Sequence, residues 1–120
     1  MSTWDLSRTR HHLLVCNGGS CKKMGGEELT LALRDEIKRR GLNNQIHTTR
    51  TRCNGRCQDA CVVTVYPEGT WYKNLTSYDA KPFIQSLKNN QRYSNKTSLV
   101  YEKDGFHRVN DSVEVGYQKP

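Results

Sequence analysis

No apolar run in the 120 residues approaches the ~20 that a membrane-spanning helix requires, so no transmembrane helix is expected. The first residues, Met1-Ser2-Thr3-Trp4-Asp5, lack a basic region followed by an apolar stretch. A secretory signal is therefore not expected, and the cytoplasm is the expected compartment. Internal repeats and low-complexity segments are absent, and no long Lys/Arg block appears. Nor does a Ser-His-Asp set, a carboxylate pair or a phosphate-binding loop stand out, so the chain is not expected to be an enzyme. Cys-x-x-Cys, the thioredoxin-type redox motif, is missing too.

What is present is polar but not extreme. The mean hydropathy is −0.86, and 26% of residues are charged, close to the usual quarter. This length fits one domain with a modest core. The net charge is +7, from 19 Lys and Arg against 12 Asp and Glu. Such a balance suits nucleic acid, an acidic membrane surface or an acidic protein partner. The basic residues are dispersed, however, and no aromatic-plus-basic stacking motif for single strands stands out. An acidic protein partner is therefore expected, and neither nucleic acid nor membrane.

Hydrophobic spacing gives a coarse architecture. His11 to Val15 reads as a strand running into Cys16, and Cys16-Asn17-Gly18-Gly19-Ser20-Cys21 reads as a Gly-rich loop. Leu29, Ala32, Leu33 and Ile37 share one helical face, and Gly41 follows as a C-terminal cap. Gln45 to Thr51 is β-branched and reads as a second strand. Val62 to Tyr66 and Thr70 to Lys73 flank Pro67-Glu68-Gly69 as a hairpin. A helix from Asp79 to Asn89 follows, with Asp79 as N-cap and Pro82 in the first turn. The expected organisation is a polar arm over residues 1–10, a domain over 11–90 and an extension over 91–120. In that extension Leu99-Val100-Tyr101 reads as an edge strand and the last residues as a tail. The fold class is α/β: a parallel pair bridged by a helix, with an antiparallel hairpin added.

The five cysteines carry the chemistry. An odd count without a signal peptide argues against a secreted disulfide framework, and the three N-x-[ST] sequons at Asn74, Asn95 and Asn110 read as chance. In a reducing compartment clustered cysteines bind metal or do redox chemistry. Cys16-x4-Cys21 and Cys53-x3-Cys57 each follow a predicted strand. In a parallel β-α-β unit both strand ends lie on one sheet edge, so the loops can meet and offer four thiolates to one site. Four thiolates suit zinc or an iron–sulfur cluster. Zinc is within the range of these spacings, whereas the dense cysteine run typical of [4Fe–4S] sites is missing. The looser pairs suit a [2Fe–2S] centre, in which each pair holds a separate iron. The alternative is a structural zinc module with a basic, nucleic-acid-contacting surface.

Two motifs bring a resemblance. C-N-G-G-S-C-K-K-M-G-G and, more specifically, C-N-G-R-C-Q-D-A-C-V-V-T-V-Y-P-E-G-T-W-Y are similar to the thioredoxin-like [2Fe–2S] ferredoxins. The cysteine spacing also resembles that of the small [2Fe–2S] subunit of NADH:quinone oxidoreductase. The resemblance covers roughly residues 11–90 and implies a thioredoxin-like fold with a small mixed sheet and flanking helices. It implies a one-electron carrier, homodimeric, whose [2Fe–2S] cluster is held by Cys16, Cys21, Cys53 and Cys57. A related alternative is a cluster or electron donor dedicated to one biosynthetic pathway. Cys61 departs from the pattern, because many relatives carry a non-cysteine there, often proline. It is expected to be a buried structural thiol opening an apolar strand. His11, His12, His47 and His107 are not expected as ligands. Arg50, Arg52 and Arg56 flank the second pair; two readings stand equally, positive charge that offsets a negative cluster or solvated strand-edge residues.

Overall fold

The computed structural model describes residues 2–120. Strand β1 (His11–Cys16) runs parallel to β2 (Ile46–Thr51), and the crossover between them contains helices α1 (Gly19–Lys23) and α2 (Gly26–Arg39). Strands β3 (Val63–Tyr66) and β4 (Thr70–Tyr72) form the expected hairpin, and β3 pairs antiparallel with β1. Helix α3 (Ala80–Lys88) follows, then β5 (Thr97–Glu102) and β6 (Gly105–Arg108). The six strands make one mixed sheet in the order β2-β1-β3-β4-β5-β6.

The core lies under α2 and α3 on one face of the sheet. Alternation along the strands sends Leu13 and Val15 from β1, Val63 and Val65 from β3, and Tyr72 from β4 into it. Leu29, Leu33 and Ile37 come down from α2, while Phe83, Ile84 and Leu87 come from α3. The Tyr72 and Phe83 rings meet edge-on with centroids 4.8 Å apart. No α2 or α3 residue covers the opposite face, and among the described residues much of it is only half-buried. Across it lie half-buried Leu14, Tyr66, Trp71 and Leu99, followed by exposed Tyr101 and Phe106.

Helix α2 ends as its sequence predicts. Leu42 N–H donates to Ile37 C=O at 2.9 Å and Gly41 N–H to Lys38 C=O at 3.0 Å, which is a Schellman motif with Gly41 in the left-handed position. Three features differ from expectation. The glycine-rich segment after Cys16 is not all loop: Gly19–Lys23 winds into α1, so Cys21 sits on a helix. Lys22 N–H reaches Gly18 C=O at 2.8 Å, closing a helical turn that a count of glycines does not reveal. Leu99 to Tyr101 lies within β5, and the sheet edge is β6, reached through the Glu102-Lys103-Asp104-Gly105 turn.

The third difference is at α3. Asp79 stands at its N-cap as expected but makes no side-chain cap bond to the helix: a single 3₁₀ turn (Ser77–Asp79) precedes α3, Thr76 caps that turn, and Thr76 and Asp79 form a reciprocal capping box. Thr76 N–H donates to Asp79 Oδ2 at 2.8 Å. The same carboxylate accepts from Lys96 Nζ at 2.8 Å and from the Tyr93 hydroxyl at 2.7 Å. One buried carboxylate therefore braces the turn that leads into α3 and fastens the segment leading into β5.

Burial alone would raise the Asp79 pKa, but Lys96, the Thr76 N–H and the Tyr93 hydroxyl outweigh it and hold the carboxyl below its usual range. Burial, reinforced by the bond to Asp79, pushes the Tyr93 hydroxyl up to about 12. A carboxyl depressed by folding adds stability that is present above its unfolded value, about 3.9, and is lost as pH falls through the folded value. Chemical denaturation across pH 2–7 (roughly the carboxylate window) should therefore show stability falling below about pH 4, with the fall shallower in Asp79→Asn. At neutral pH Thr76→Ala should cost about 1 kcal/mol and Asp79→Ala about 2 kcal/mol or more, since it also strands Lys96 and Tyr93.

Candidate metal centre

The parallel pairing of β1 and β2 brings the cysteines together. Both strands end on one sheet edge, where Asn17 N–H donates to Thr51 C=O at 2.8 Å. Cys16 is the last residue of β1, and Cys53 follows β2 by two positions. The two segments then touch at Gly18. A β-carbon there would stand 2.7 Å from both the Cα and the N of Cys53. Gly18 has ordinary extended backbone (φ −65°, ψ 175°), so glycine is needed for space and not for conformation.

All four predicted ligands, Cys16, Cys21, Cys53 and Cys57, line one small cavity together with Val62 and Asn54. The two pairs differ in setting. Cys16 and Cys21 are 3% and 2% exposed, at a strand end and on α1. Cys53 and Cys57 are exposed, on a connection whose only regular piece is a 3₁₀ turn (Cys57–Asp59). Their sulfurs lie 3.3 Å apart, and Gly55 N–H donates to the Cys53 sulfur at 3.3 Å. Among the described residues no three Cys, His, Asp or Glu side chains converge closely enough to hold a single metal ion. The thiols stand instead as two pairs around one space.

Charge follows this geometry. The Gly55 N–H, with the Cys57 thiol, holds the Cys53 thiol below the ordinary cysteine range. Cys57, donating to Cys53, is raised. Burial pushes Cys21 up to about 12 in the cluster-free protein, with Cys16 and Cys61 adding to the effect. Cys61 lies outside this cavity's lining. It is 1% exposed, and its thiol donates to the Cys21 and Met24 carbonyls, each at 3.3 Å. Burial raises its pKa as well. The thiol thus satisfies two carbonyls at the end of α1.

The histidines are engaged elsewhere. His11 Nδ1 meets Glu68 at 2.6 Å, His12 Nε2 meets Thr49 at 2.8 Å, and His107 Nε2 meets Asp104 at 2.9 Å. The His47 ring lies against that of His12, with centroids 5.0 Å apart. Of the arginines, Arg50 is bound twice to Glu27, at 2.7 and 3.0 Å, and Arg52 is exposed. Arg56 turns to Asp59 and to the C-terminal segment. Sequence spacing did not single out Asn54. Its side-chain nitrogen is shut off from solvent and has no hydrogen-bond partner among the described residues. An unpaired buried donor beside four thiols suits a centre that presents sulfur acceptors.

A small α/β protein with paired cysteines at the carboxyl ends of two parallel strands is defined by this fold and site. The family model of the thioredoxin-like [2Fe-2S] ferredoxins matches residues 5–88, and the chain belongs to that family. It is 47% identical over 118 residues to a protein of Priestia megaterium assigned as a 2Fe-2S ferredoxin, covering 95% of this chain and 91% of the relative. It is also 33% identical over 85 residues to the 2Fe-2S ferredoxin of Clostridium pasteurianum, covering 64% of this chain and 83% of that one. The thioredoxin-like [2Fe-2S] ferredoxin of Aquifex aeolicus superposes with a TM-score of 0.74 at 25% identity, covering 81% of this chain and 97% of the other. A second structure of that ferredoxin, the wild type, gives 0.71 at 26% identity over 74% of this chain and 96% of its own. The fold is thus thioredoxin-like, the cofactor is a [2Fe–2S] cluster, and the protein is a small electron-carrying ferredoxin. The zinc alternative lapses.

Gly18→Ala tests the contact that closes the site. The added methyl meets backbone, which cannot move aside as a flexible side chain would. Iron and sulfide per chain should fall well below wild type after identical anaerobic reconstitution, with near-native far-ultraviolet circular dichroism. Full cluster content in Gly18→Ala would show that the close approach is not required.

Proposed function

We propose that Cys16, Cys21, Cys53 and Cys57 are the four cluster ligands, and that Cys61 and the histidines are not. The observation that carries this is the single cavity lined by all four of those sulfurs and by the unpaired Asn54 nitrogen. When bound, a [2Fe–2S] cluster supplies a one-electron couple. The chain's part is to fix two thiols in the core, to present two at the surface and to keep water off the buried pair. No residue is assigned a catalytic role. The described helices include none long and apolar enough to cross a membrane, and we place the protein in the cytoplasm.

The partner is read as a redox protein with an acidic docking surface. The formal charge of +7 supports this, since opposite charge raises encounter rates more than it tightens binding. Electron transfer to an acidic acceptor should then slow steeply as salt rises; a rate flat in salt would remove the electrostatic reading. We also propose a homodimer through the sheet face opposite α2 and α3, where Tyr101 and Phe106 are 54% and 44% exposed. Sedimentation should show twice the chain mass, reduced to a single chain in Phe106→Glu. A wild-type monomer at high concentration would overturn it.

The assignment of ligands is tested by absorption, iron and sulfide assays on five single Cys→Ser variants. Wild type should be red-brown, with about two irons and two sulfides per chain, and should bleach with dithionite. Serine at position 16, 21, 53 or 57 should alter the spectrum or abolish the cluster. Cys61→Ser should keep the wild-type spectrum and cost about 1–2 kcal/mol of stability through altered packing. A changed spectrum in Cys61→Ser, with an unchanged one in any of the other four, would reassign the set.

A further inference from the structure

The two halves of the site are held unequally. Cys16 and Cys21 belong to a core strand and a helix, whereas Cys53 and Cys57 ride on an exposed connection. Between those last two lies Arg56, whose side chain is only 14% exposed. Its guanidinium faces two ways. Nε and Nη2 reach Asp59 Oδ2 at 2.9 and 2.8 Å, and that carboxylate side chain is itself 6% exposed. Nη2 also donates to Glu114 C=O at 2.6 Å, and Nη1 to Val115 C=O at 3.5 Å.

The segment that supplies those carbonyls is anchored at its near end. Val113 is 2% exposed although its neighbours on both sides are exposed, and Arg108 Nη1 donates to its carbonyl at 2.9 Å. Beyond the arginine contact, Gly116 takes φ +83°, and a β-carbon there would lie 3.3 Å from Arg56 Nη1. Residues 113–117 thus run from a buried anchor to the connection bearing Cys53 and Cys57, and line a cavity with it.

We propose that this segment is a strap and that Arg56 is a positioning residue: together they hold the exposed half of the cysteine site in register with the buried half. The planar guanidinium suits this task, because it can bond a carboxylate and two carbonyls at once while a lysine ammonium is a single point of charge. Arg56 therefore acts by its grip, beyond its positive charge. The proposal rests on the assignment of Cys53 and Cys57 as ligands.

Three variants test it: a chain ending at Val113, Arg56→Lys and Gly116→Val. Two readouts apply, namely loss of visible absorbance from cluster-loaded protein under excess ferrous chelator without oxygen, and amide hydrogen exchange in cluster-free, reduced protein. In all three, cluster loss and exchange over residues 53–60 should rise about tenfold. Exchange in β1 and β3 should stay as in wild type. Wild-type exchange over 53–60 in the shortened chain would overturn the strap. Wild-type rates in Arg56→Lys would overturn the grip, leaving charge alone. Faster exchange in the variants, with no cluster taken up by any protein including wild type, would uphold the strap and refute the ligand assignment on which its purpose rests.

Discussion

The approach of Gly18 to Cys53 is the contact on which the site depends. Each cysteine pair is set by its own segment, and neither segment alone holds four sulfurs. What unites them is backbone lying on backbone, with no room for a side chain between. That approach in turn requires β1 and β2 to be parallel neighbours, so that both deliver their next residues to the same sheet edge. The parallel pair requires the crossover, and the crossover requires the apolar stripe of α2 to bury itself on the sheet. The chain from Leu29, Leu33 and Ile37 to the sulfurs is therefore one of mechanical necessity: weaken the helix face and the strand ends lose their register.

Much of this was legible from residues, because the signals are periodic or compositional. The α2 face has helical spacing, the run Val62 to Tyr66 is β-branched, and Gly41 closes a helix whose last turn is basic. The cysteine pairs could be placed on one edge because the β-α-β order dictates it. Less legible were features decided by contacts distant in sequence. Helix α1 is a single short turn of helix braced where Cys61, forty positions on, donates to the Cys21 carbonyl. Asp79 stands at the N-cap of α3, as its place before the helix suggests. Its carboxylate, however, serves Thr76, Tyr93 and Lys96, the last two beyond that helix. Strand β6 has no apolar alternation of its own and exists because β5 offers it an edge. Asn54 carried no sequence signal, since an unpaired donor is visible only once its surroundings are known.

On the proposed ligand assignment, one residue type takes two roles within nine positions of chain, with Cys61 set apart from Cys53 and Cys57. Cys61 follows Cys57 at the same spacing at which Cys57 follows Cys53, so spacing alone does not separate them. Burial does. Cys53 and Cys57 sit at the surface beside backbone N–H and charged groups, whereas Cys61 is sealed against two carbonyls that it satisfies. What separates Cys61 from the equally buried Cys21 is place: Cys21 lines the cavity, whereas the Cys61 proton is engaged by two carbonyls outside that lining.

The unequal burial of the two pairs answers opposing demands. Exchange of an electron with a partner favours a centre near the surface, because the rate falls with distance. Retention of the centre favours burial, because water and solutes attack exposed ligands. Placing one pair on core elements and the other on a surface connection meets both, but it concentrates weakness on that connection. Loops of this kind open at low free energy unless contacts outside them add restraint. Asp59 and Arg56 supply such restraint from within, and Asp59 C=O also accepts the Asn74 N–H at 2.8 Å from beyond it. On the proposed assignment, the surface pair thus stays exposed for electron exchange while Arg56, Asp59 and Asn74 restrain its backbone.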